Sequence, residues 1–498
     1  MFSKKKLLKK IISKYQKREK LLNTLVILSI FCLGFYIRLY LYPTNSVWVG
    51  DAARDMLIGH LITFKNMSSR YGPWNTGISS TYPPIYYYFI ATLTAIAKGN
   101  HNSLAGLIIF YQSIGIILTF LIIKKEFSKV IALAASLFYA LSSAFIYLSM
   151  LQISVSNSVI IVLISLLFLQ SAFKKDKIIH LVISAVLLSL ASSFWYGAMF
   201  IWPIYLLIYL LNFDSQKSEV GNLLGLIVFG LSAILSFFIF FSPVIEVVTL
   251  SNIRQQLFGN GINQLSLSNF KIDNFLKSIE LTINILHPKL TTFMYFIYGL
   301  IILAGLSSKN KHFKKLTLIA LFALLFHYIF YNIHESPLGH YLNNVYFFLA
   351  ALLIYALRIV LEKNTLAFLS LFLIILISSK SFEQEKLDSD ISYQHYSQVS
   401  NQIHQSFPDS SIIDGGEFCQ NTTNHDYWNS RVFWYFQKEK PYFIFDDVFT
   451  QVDLTNTNTV LLCWQNLNSN QIDSDYLNRE DDLLKFQLQG IEYKIFEN

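Results

Sequence analysis

LLNTLVILSIFCLGFYIRLYL at residues 21–41 and GDAARD at residues 50–55 are the two neighbouring stretches that decide the fold. The first is apolar and long enough to cross a bilayer, which takes about 20 residues. The second brings Asp51, Arg54 and Asp55 together where the chain first leaves the membrane. Because charged side chains at a membrane are costly and tend to mark function, these three residues are the first candidates for a functional site.

Charge and hydropathy divide the chain of 498 residues into two parts. The mean hydropathy is +0.44, and long apolar runs follow one another up to residue 380. Residues 1–380 carry 32 basic and 12 acidic side chains, whereas residues 381–498 carry 7 and 19. This pattern predicts a basic cytoplasmic N-terminus at 1–20, an all-α polytopic membrane domain at 21–380 and a soluble domain at 381–498. A basic membrane part with an acidic soluble part does not fit a nucleic-acid partner.

Apolar length predicts eleven transmembrane helices. They are 21–41, 103–123, 130–150, 154–173, 178–194, 196–212, 221–245, 291–307, 316–332, 341–360 and 365–380. The apolar stretch 84–98 is short for a crossing, so we expect it to lie in the outer interface, within an outer loop at 42–102. The lysine clusters between later spans then fall on the cytoplasmic side, as the positive-inside rule requires. This predicts a multi-pass cell-membrane protein with a cytoplasmic N-terminus, acting as an uncleaved signal anchor, and an extracytoplasmic C-terminal domain.

Two features interrupt this regular pattern. Ser192 to Gly197 separate two short apolar segments, which are expected to be half-length helices meeting at an irregular break inside the protein. The tail at 381–498 is expected to be a small α/β or α+β domain, with a helix near 391–406 and strands near 410–414, 441–446, 459–464 and 486–496. Cys419 and Cys463 can form a disulfide if this domain is extracytoplasmic, and the sequence leaves the paired and the free state open.

The charged segment at 50–55 has two interpretations. Gly50-Asp51 is typical of a helix start, which predicts a helix from Ala52 to Phe64 with Asp51 and Asp55 on one face. In the first interpretation Asp51 only caps the helix and Arg54 pairs with Asp55. In the second, Asp51 faces a cavity as a general base, and Arg54 balances it or binds a phosphate. The second is favoured, because a cap does not need two acids and an arginine beside a span.

These residues and several later motifs resemble a known family. A first span, an outer acid within GDAARD and the segment Tyr82-Pro83-Pro84-Ile85-Tyr86-Tyr87-Tyr88 resemble the GT-C glycosyltransferases. The likeness is to the bacterial dolichyl-phosphate-mannose-protein mannosyltransferase and aminoarabinose transferase group. Ser242-Pro243-Val244-Ile245-Glu246 and Gly339-His340-Tyr341-Leu342 are similar to the family's motifs at two later span ends. The likeness covers residues 21–380, and the tail resembles no family.

The resemblance implies a glycosyltransferase that moves a sugar from a polyprenyl-phosphate donor to a lipid, protein or glycan acceptor on the outer face of the membrane. The family's catalytic acid lies in the first outer loop, so Asp51 is the implied general base of an inverting displacement. Many relatives have a second acid directly after the first, but here Ala52 follows, so either Asp55 substitutes or Asp51 acts alone. The substrate-binding residues expected on this basis are Arg54, Tyr82, Glu246, Arg254, His340 and Tyr341.

Several of these residues also have purely structural interpretations. Arg254 can be a solvated loop residue, Glu246 can order its loop, and His340 can be satisfied by loop carbonyls. No cofactor is required by the motifs, and a divalent metal stays open, although His334 and Glu335 lack metal-ligand spacing.

Two other function classes remain in competition with the transferase. A transporter or flippase for a lipid-linked glycan would use many spans and a basic rim, but it should have interrupted helices in corresponding halves, and the sequence indicates only the break near 192–197. A structural or sensory membrane protein would tolerate Asp51→Asn without effect. Asn157, inside a span, is expected to hydrogen-bond between helices in any of these classes.

Overall fold

The structure of the chain is a computed structural model. The structure describes residues 2–45, 50–65, 68–69, 72, 74–75, 80–213, 220–244, 279–280, 282–334, 343–360, 365–378, 405, 411–414, 459–466, 484–488 and 491–497.

Helices dominate the membrane domain. Up to residue 241 they are α1 (Phe2–Asn45), α2 (Gly50–Lys65), α3 (Ile85–Ile96), α4 (His101–Glu126), α5 (Lys129–Leu141), α6 (Ser143–Leu151), α7 (Ser154–Lys175), α8 (Ile178–Phe194), α9 (Trp202–Leu210) and α10 (Leu223–Phe241). Further on they are α11 (Thr291–Ser307), α12 (Lys311–His334), α13 (Asn343–Val360) and α14 (Thr365–Ser378). Two 3-10 helices, Tyr196–Ile201 and Ser242–Val244, lie between α8 and α9 and after α10.

Four of the described segments are long and apolar enough to cross a membrane by themselves. They are Leu21–Tyr42, His101–Glu126, Ser154–Lys175 and Leu223–Val244. Each coincides with a span expected from hydropathy, and shorter apolar helices occupy several of the other expected positions. α3 has 12 residues, a length of about 18 Å that is too short for a perpendicular crossing of a hydrocarbon core of about 30 Å. The total of eleven crossings stays a prediction.

The helices are interrupted at two places. α5 and α6 were expected as one span, but the chain breaks at Ser142 and the two helices bend by 54°. The expected break after α8 is present: Trp195 is extended, a 3-10 helix follows, and Pro203 lies in the first turn of α9. Trp195 and Ala198 are buried, so this irregular backbone lies inside the protein, as the sequence predicted. The expectation of a single interruption was therefore wrong.

Small polar side chains bring the central helices together. Ser165 Oγ on α7 donates to the carbonyl of Ser184 on α8 at 2.7 Å, and Ser184 Oγ donates back to the carbonyl of Ser165 at 2.9 Å. On the other side of α8, Ser189 Oγ donates to the carbonyl of Ala233 on α10 at 2.8 Å. Small hydroxyl residues let helix backbones approach closely and join them by hydrogen bonds in an apolar setting.

Lysines gather at one end of the helical domain, which we call the basic end. It contains the last turns of α4 and α7, the first turns of α5 and α12, and the last turn of α13. Lys125 Nζ donates to the carbonyl of Leu167 at 2.9 Å, which joins α4 to α7 there. Phe127, just after α4, has its ring centroid 4.3 Å from that of Tyr355 on α13. The positive-inside rule favours the cytoplasm for this end.

The tail contributes a four-stranded sheet to the described residues. Two short strands, β1 (Trp74–Asn75) and β2 (Ser80–Thr81), precede the tail. The strands of the tail sheet are β3 (Ser411–Asp414), β4 (Thr459–Asn466), β5 (Leu484–Leu488) and β6 (Ile491–Glu497). The order is β3-β4-β6-β5, with β3 parallel to β4 and the other pairs antiparallel. A single strand at 486–496 was expected, but β5 and β6 pair as a hairpin in register Leu488 to Ile491. Gly490 between them is typical of such short connections. The expected strand at 441–446 and nearly all of the expected helix at 391–406 lie outside the described residues, so the helical part of the tail domain stays a prediction.

Candidate functional site

The first outer loop is built on α2 and α3, which pack closely. At Gly59 of α2 a Cβ atom would lie 2.6 Å from Ile90 Cγ2 and 3.1 Å from the backbone nitrogen of Ala91 on α3. One turn later, Thr63 Oγ1 donates to the carbonyl of Ala91 at 2.9 Å. Glycine at 59 therefore allows the two helices to approach, and Thr63 fixes their register.

The charged segment lies in the first turns of α2, as expected. The helix includes Gly50 and continues to Lys65, so Asp51 and Arg54 lie within its N-terminal part. Their backbone is described, whereas their side chains are outside the described part of the structure. Asp55 has a fully buried side chain that interacts with neighbouring groups. A buried carboxylate requires such compensation, because an isolated charge in an apolar interior is very costly.

A short hairpin leads from this helix to the proline pair. It consists of Trp74–Asn75 and Ser80–Thr81, paired antiparallel with Trp74 opposite Thr81. The backbone nitrogen of Gly72 donates to the carbonyl of Tyr82 at 2.6 Å. A Cβ atom at Gly72 would collide with the backbone of Pro83, so only glycine permits this approach.

Tyr82 joins the first loop to the far end of α10. It packs against the buried residues Phe241 and Val244. Met199, Phe237 and Phe240 pack against the same two residues, and we call these six residues the Tyr82 cluster. Met199 comes from the 3-10 break, and Val244 lies two residues before the expected motif residue Glu246. The structure thus brings Tyr82-Pro83 and Ser242-Pro243 together, although about 160 residues separate them in the sequence.

Four expected site residues lie outside the described part of the chain. They are Glu246, Arg254, His340 and Tyr341. Their position relative to α2 and the Tyr82 cluster stays a prediction.

Two of the three tyrosines after the proline pair face the protein interior. Tyr86 and Tyr87 are buried and Tyr88 is exposed. Asn157 Nδ2 on α7 donates to Tyr86 Oη at 3.1 Å, and Gln112 Nε2 on α4 donates to Asn157 Oδ1 at 2.8 Å. The expected interhelical role of Asn157 is confirmed. The start of α3, directly after Pro84, is therefore fixed by hydrogen bonds to two long helices.

Gln152 lies at a strained position beside this network. Its φ is +52°, an unusual value for a residue other than glycine, and it ends α6 before α7 begins. Tyr42 Oη at the end of the first span lies 3.5 Å from Gln152 Oε1 and 3.2 Å from His101 Nε2. Sequence reasoning missed Gln152, and its only signal was an amide within an apolar stretch.

Arg38 is the second residue that the sequence argument missed. Its buried guanidinium donates to the carbonyls of Tyr139 at 3.0 Å and Ala140 at 2.9 Å, and to Ser149 Oγ at 2.9 Å. The carbonyls of a last helical turn lack intrahelical donors, so the arginine satisfies the end of α5 at the bend. The feature of the sequence that points to Arg38 is a lone charge inside the first predicted span.

A metal site is not found in the described residues. No group of three or more His, Cys, Asp or Glu side chains in them is arranged to hold an ion.

Comparison with known proteins gives a family match over one third of the chain and a fold. Residues 81–245 match the model of the dolichyl-phosphate-mannose-protein mannosyltransferase family. The matched segment begins at the Tyr82-Pro83-Pro84 motif and ends just after the Tyr82 cluster. No curated protein sequence matches the chain.

The structure is similar to ArnT from Cupriavidus metallidurans bound to undecaprenyl phosphate. The TM-score is 0.56 at 12% identity, over 94% of this chain and 97% of that chain. The chain has the GT-C fold. Apo ArnT from the same organism gives a TM-score of 0.50 at 11% identity, over 82% and 84% of the two chains.

A larger relative gives a weaker match. The archaeal oligosaccharyltransferase AglB from Archaeoglobus fulgidus, in complex with an inhibitory peptide and a dolichol-phosphate, gives a TM-score of 0.47 at 13% identity. This GT-C chain spans 60% of the length of that protein. The apolar helices and the GT-C fold together identify a multi-pass membrane protein.

Proposed function

We propose that this protein is a glycosyltransferase that moves a sugar from a polyprenyl-phosphate donor to an acceptor at the outer face of the membrane. One observation carries the proposal. The segment that matches the mannosyltransferase family begins at Tyr82 and its neighbours, and in the structure this segment packs beside the loop that contains α2 and its acids. The similarity to ArnT, whose crystal structure contains undecaprenyl phosphate, supports a lipid-linked donor.

The proposed reaction is a single displacement. The acceptor hydroxyl oxygen bonds to the anomeric carbon of the sugar while the bond from that carbon to the phosphate oxygen breaks. The hydroxyl proton passes to a carboxylate of the protein, and the polyprenyl phosphate leaves with the electron pair. Because attack comes from the face opposite the phosphate, the configuration inverts. Positioning both substrates supplies several kcal/mol of the barrier.

Asp51 is the proposed general base. The complete burial of Asp55 supports this choice, because a carboxylate enclosed by α2 and its neighbours is poorly accessible to a bulky acceptor. Asp55 lies one helical turn after Asp51, where its charge can influence the proton affinity of the base. Arg54, Arg254 and His340 are the proposed partners of the donor phosphate, and Tyr82, Glu246 and Tyr341 the other proposed substrate contacts. A divalent metal stays open.

Transfer of labelled sugar in reconstituted vesicles tests the base. The rates of wild type and Asp51→Asn are measured with a panel of polyprenyl-phosphate sugars as donors. The anomeric configuration of the product is a second readout. Loss of a general base lowers the rate by about 10²- to 10⁴-fold. Asp176→Asn is the matched control, because Asp176 is exposed at the basic end and an asparagine retains the oxygen that accepts from Val220 N. A wild-type rate in Asp51→Asn would exclude Asp51 from the chemistry.

Transport of a lipid-linked glycan is the second candidate. The bend of 54° between α5 and α6 gives a second interrupted helix besides the break after α8, and interrupted helices are typical of transporters. The same vesicles distinguish the two functions. Movement of an intact fluorescent lipid-linked sugar between leaflets, without any transfer product, would favour transport.

A further inference from the structure

A cavity lies at the basic end, away from the first outer loop. It is open to the exterior and contains about 700 Å³ of space, part of it continuous with the solvent, between α4, α7, α12 and α13, with the end of α9 at its edge. Neither the sequence motifs nor the proposed transfer reaction uses it. Its wall is almost wholly apolar and includes Ile122, Leu166, Ile319 and Phe347.

The cavity is lined over about two helical turns. Its lining residues run from Leu166 to Phe173 on α7 and from His312 to Ile319 on α12, a length of about 10 Å along each helix. An apolar cavity of this length at one end of a membrane protein suits part of an acyl chain.

Polar residues of the described lining lie toward the basic end, where α4 ends and α12 begins, and we call this part the entrance. Lys315 Nζ donates to Asn212 Oδ1 at 2.6 Å, and exposed His312 and half-buried Glu126 lie beside them. Gln170 Oε1 is buried and has no hydrogen-bond partner among the described residues. An unused acceptor beside an ammonium group suits a ligand that carries both negative charge and hydroxyl donors.

The surroundings of the entrance are strongly cationic. Lys125 lies close enough to Lys174 and Lys175 for mutual repulsion, and Lys311 and Lys314 are exposed on the first turn of α12. Glu126 offsets part of this charge. Each lysine near an anionic membrane surface adds about 1 kcal/mol of attraction, so a phosphate at the entrance would relieve the repulsion.

We propose that this cavity binds one anionic phospholipid of the adjacent leaflet, with an acyl chain between α4, α7, α12 and α13 and its phosphate beside Lys315. The proposal does not depend on the transferase assignment, because it concerns the opposite end of the molecule.

Lipid binding to the purified full-length protein tests the proposal. Phosphatidylglycerol is titrated into the protein in detergent, and native mass spectrometry measures the bound lipid. Phosphatidylcholine is the comparison lipid. Two variants probe separate parts of the site: Lys315→Gln removes the cation, and Ala351→Phe fills the apolar wall. Lys309→Gln is the matched control, because Lys309 is exposed at the same end and does not line the cavity.

Wild type is expected to retain phosphatidylglycerol at least tenfold more tightly than phosphatidylcholine, since several lysines act together. Lys315→Gln should weaken that binding about fivefold, which corresponds to one lysine–phosphate attraction. Ala351→Phe should abolish saturable binding, and Lys309→Gln should match wild type. If Ala351→Phe does not fold, the binding measured for Lys315→Gln decides whether the proposal holds. Equal binding of the two lipids, or wild-type binding by Lys315→Gln, would overturn the proposal, and sugar transfer would be unaffected by either result.

Discussion

At the scale of single residues, the buried side chain of Arg38 joins three helices. It connects the first span to both sides of the bend between α5 and α6 through the carbonyls of Tyr139 and Ala140 and the hydroxyl of Ser149. A charged donor that is fully buried and has several acceptors replaces the water that those acceptors would otherwise bind.

Replacing Arg38 by glutamine should therefore destabilise the protein. The variant leaves two carbonyl groups of α5 without a donor, at a cost of roughly 3 kcal/mol. Thermal unfolding in detergent measures the loss. Lys98→Gln is the control, since Lys98 is exposed between α3 and α4. An unfolding midpoint in Arg38→Gln equal to that of the control would show that water replaces the guanidinium without penalty.

The burial of His287 makes the free energy of unfolding depend on pH. Its side chain is buried between Phe138 and Tyr298, with Nε2 at 3.4 Å from Tyr298 Oη, and this burial lowers its pKa to about 3. The unfolded chain binds a proton near pH 6.5, whereas the folded protein does not until about pH 3. Protonation thus favours the unfolded state, and stability is lost as the pH falls below about 6.5.

The free energy of unfolding should decrease by up to about 1.4 kcal/mol per pH unit below that point from this one group. Unfolding midpoints between pH 5 and pH 8 for wild type and His287→Gln measure it. We expect the variant to have the shallower slope. Parallel slopes would mean that His287 is protonated equally in both states.

At the scale of elements, the close packing of α2 on α3 decides where the charged segment lies. Gly59→Ala should push α2 away, because the added Cβ meets backbone atoms of Ile90 and Ala91 at 3.1 to 3.2 Å, which cannot move independently. Overpacking of this kind costs about 1–3 kcal/mol. The displacement of α2 should also reduce the rate of sugar transfer by the Gly59→Ala protein that remains folded.

Gly230→Ala in α10 provides the matched control for that prediction. A Cβ atom at Gly230 meets nothing within 4 Å, so the variant should be as stable as wild type or more stable by up to about 1 kcal/mol, since alanine favours the helix. Thermal unfolding and transfer assays on both variants complete the comparison. Equal behaviour of the two alanine variants would show that the α2–α3 contact adapts freely.

At the scale of the whole molecule, the two ends of the helical domain have different chemistry. The first outer loop, the Tyr82 cluster and the bend at Ser142 belong to one end, and the lysines and the proposed phospholipid cavity belong to the other. The positive-inside rule predicts that the basic end faces the cytoplasm.

Cysteine labelling tests this orientation. Lys98→Cys and Lys124→Cys are introduced separately after Cys32, Cys419 and Cys463 are changed to serine, since Cys32 is exposed. In intact cells a membrane-impermeant maleimide should label position 98 and leave position 124 unlabelled until the membrane is opened. Labelling of position 124 from outside would reverse the topology and remove the outer-face assignment of Asp51.

Hydropathy predicted the helices because it is a local property. The spans at 21–41, 103–123, 154–173 and 221–245 depend only on the apolar character of about 20 successive residues, and the structure has helices at these positions. The helix that carries Asp51 and the short α3 after Pro84 follow equally local signals. In the tail, the three expected strand regions that fall within the described residues contain strands, but the turn within 486–496 was missed.

The sequence by itself thus determined a membrane protein with an acid-bearing helix after its first span and a proline-led short helix after that. Only the tertiary structure decided how Arg38 reaches Ser149, 111 residues away, and how Tyr82 meets Val244. It also decided the bend at Ser142 and the cavity at the basic end. The physical reason is that each of these depends on which distant backbone carbonyls and side chains become neighbours, and hydropathy of a single segment contains no information about its partners.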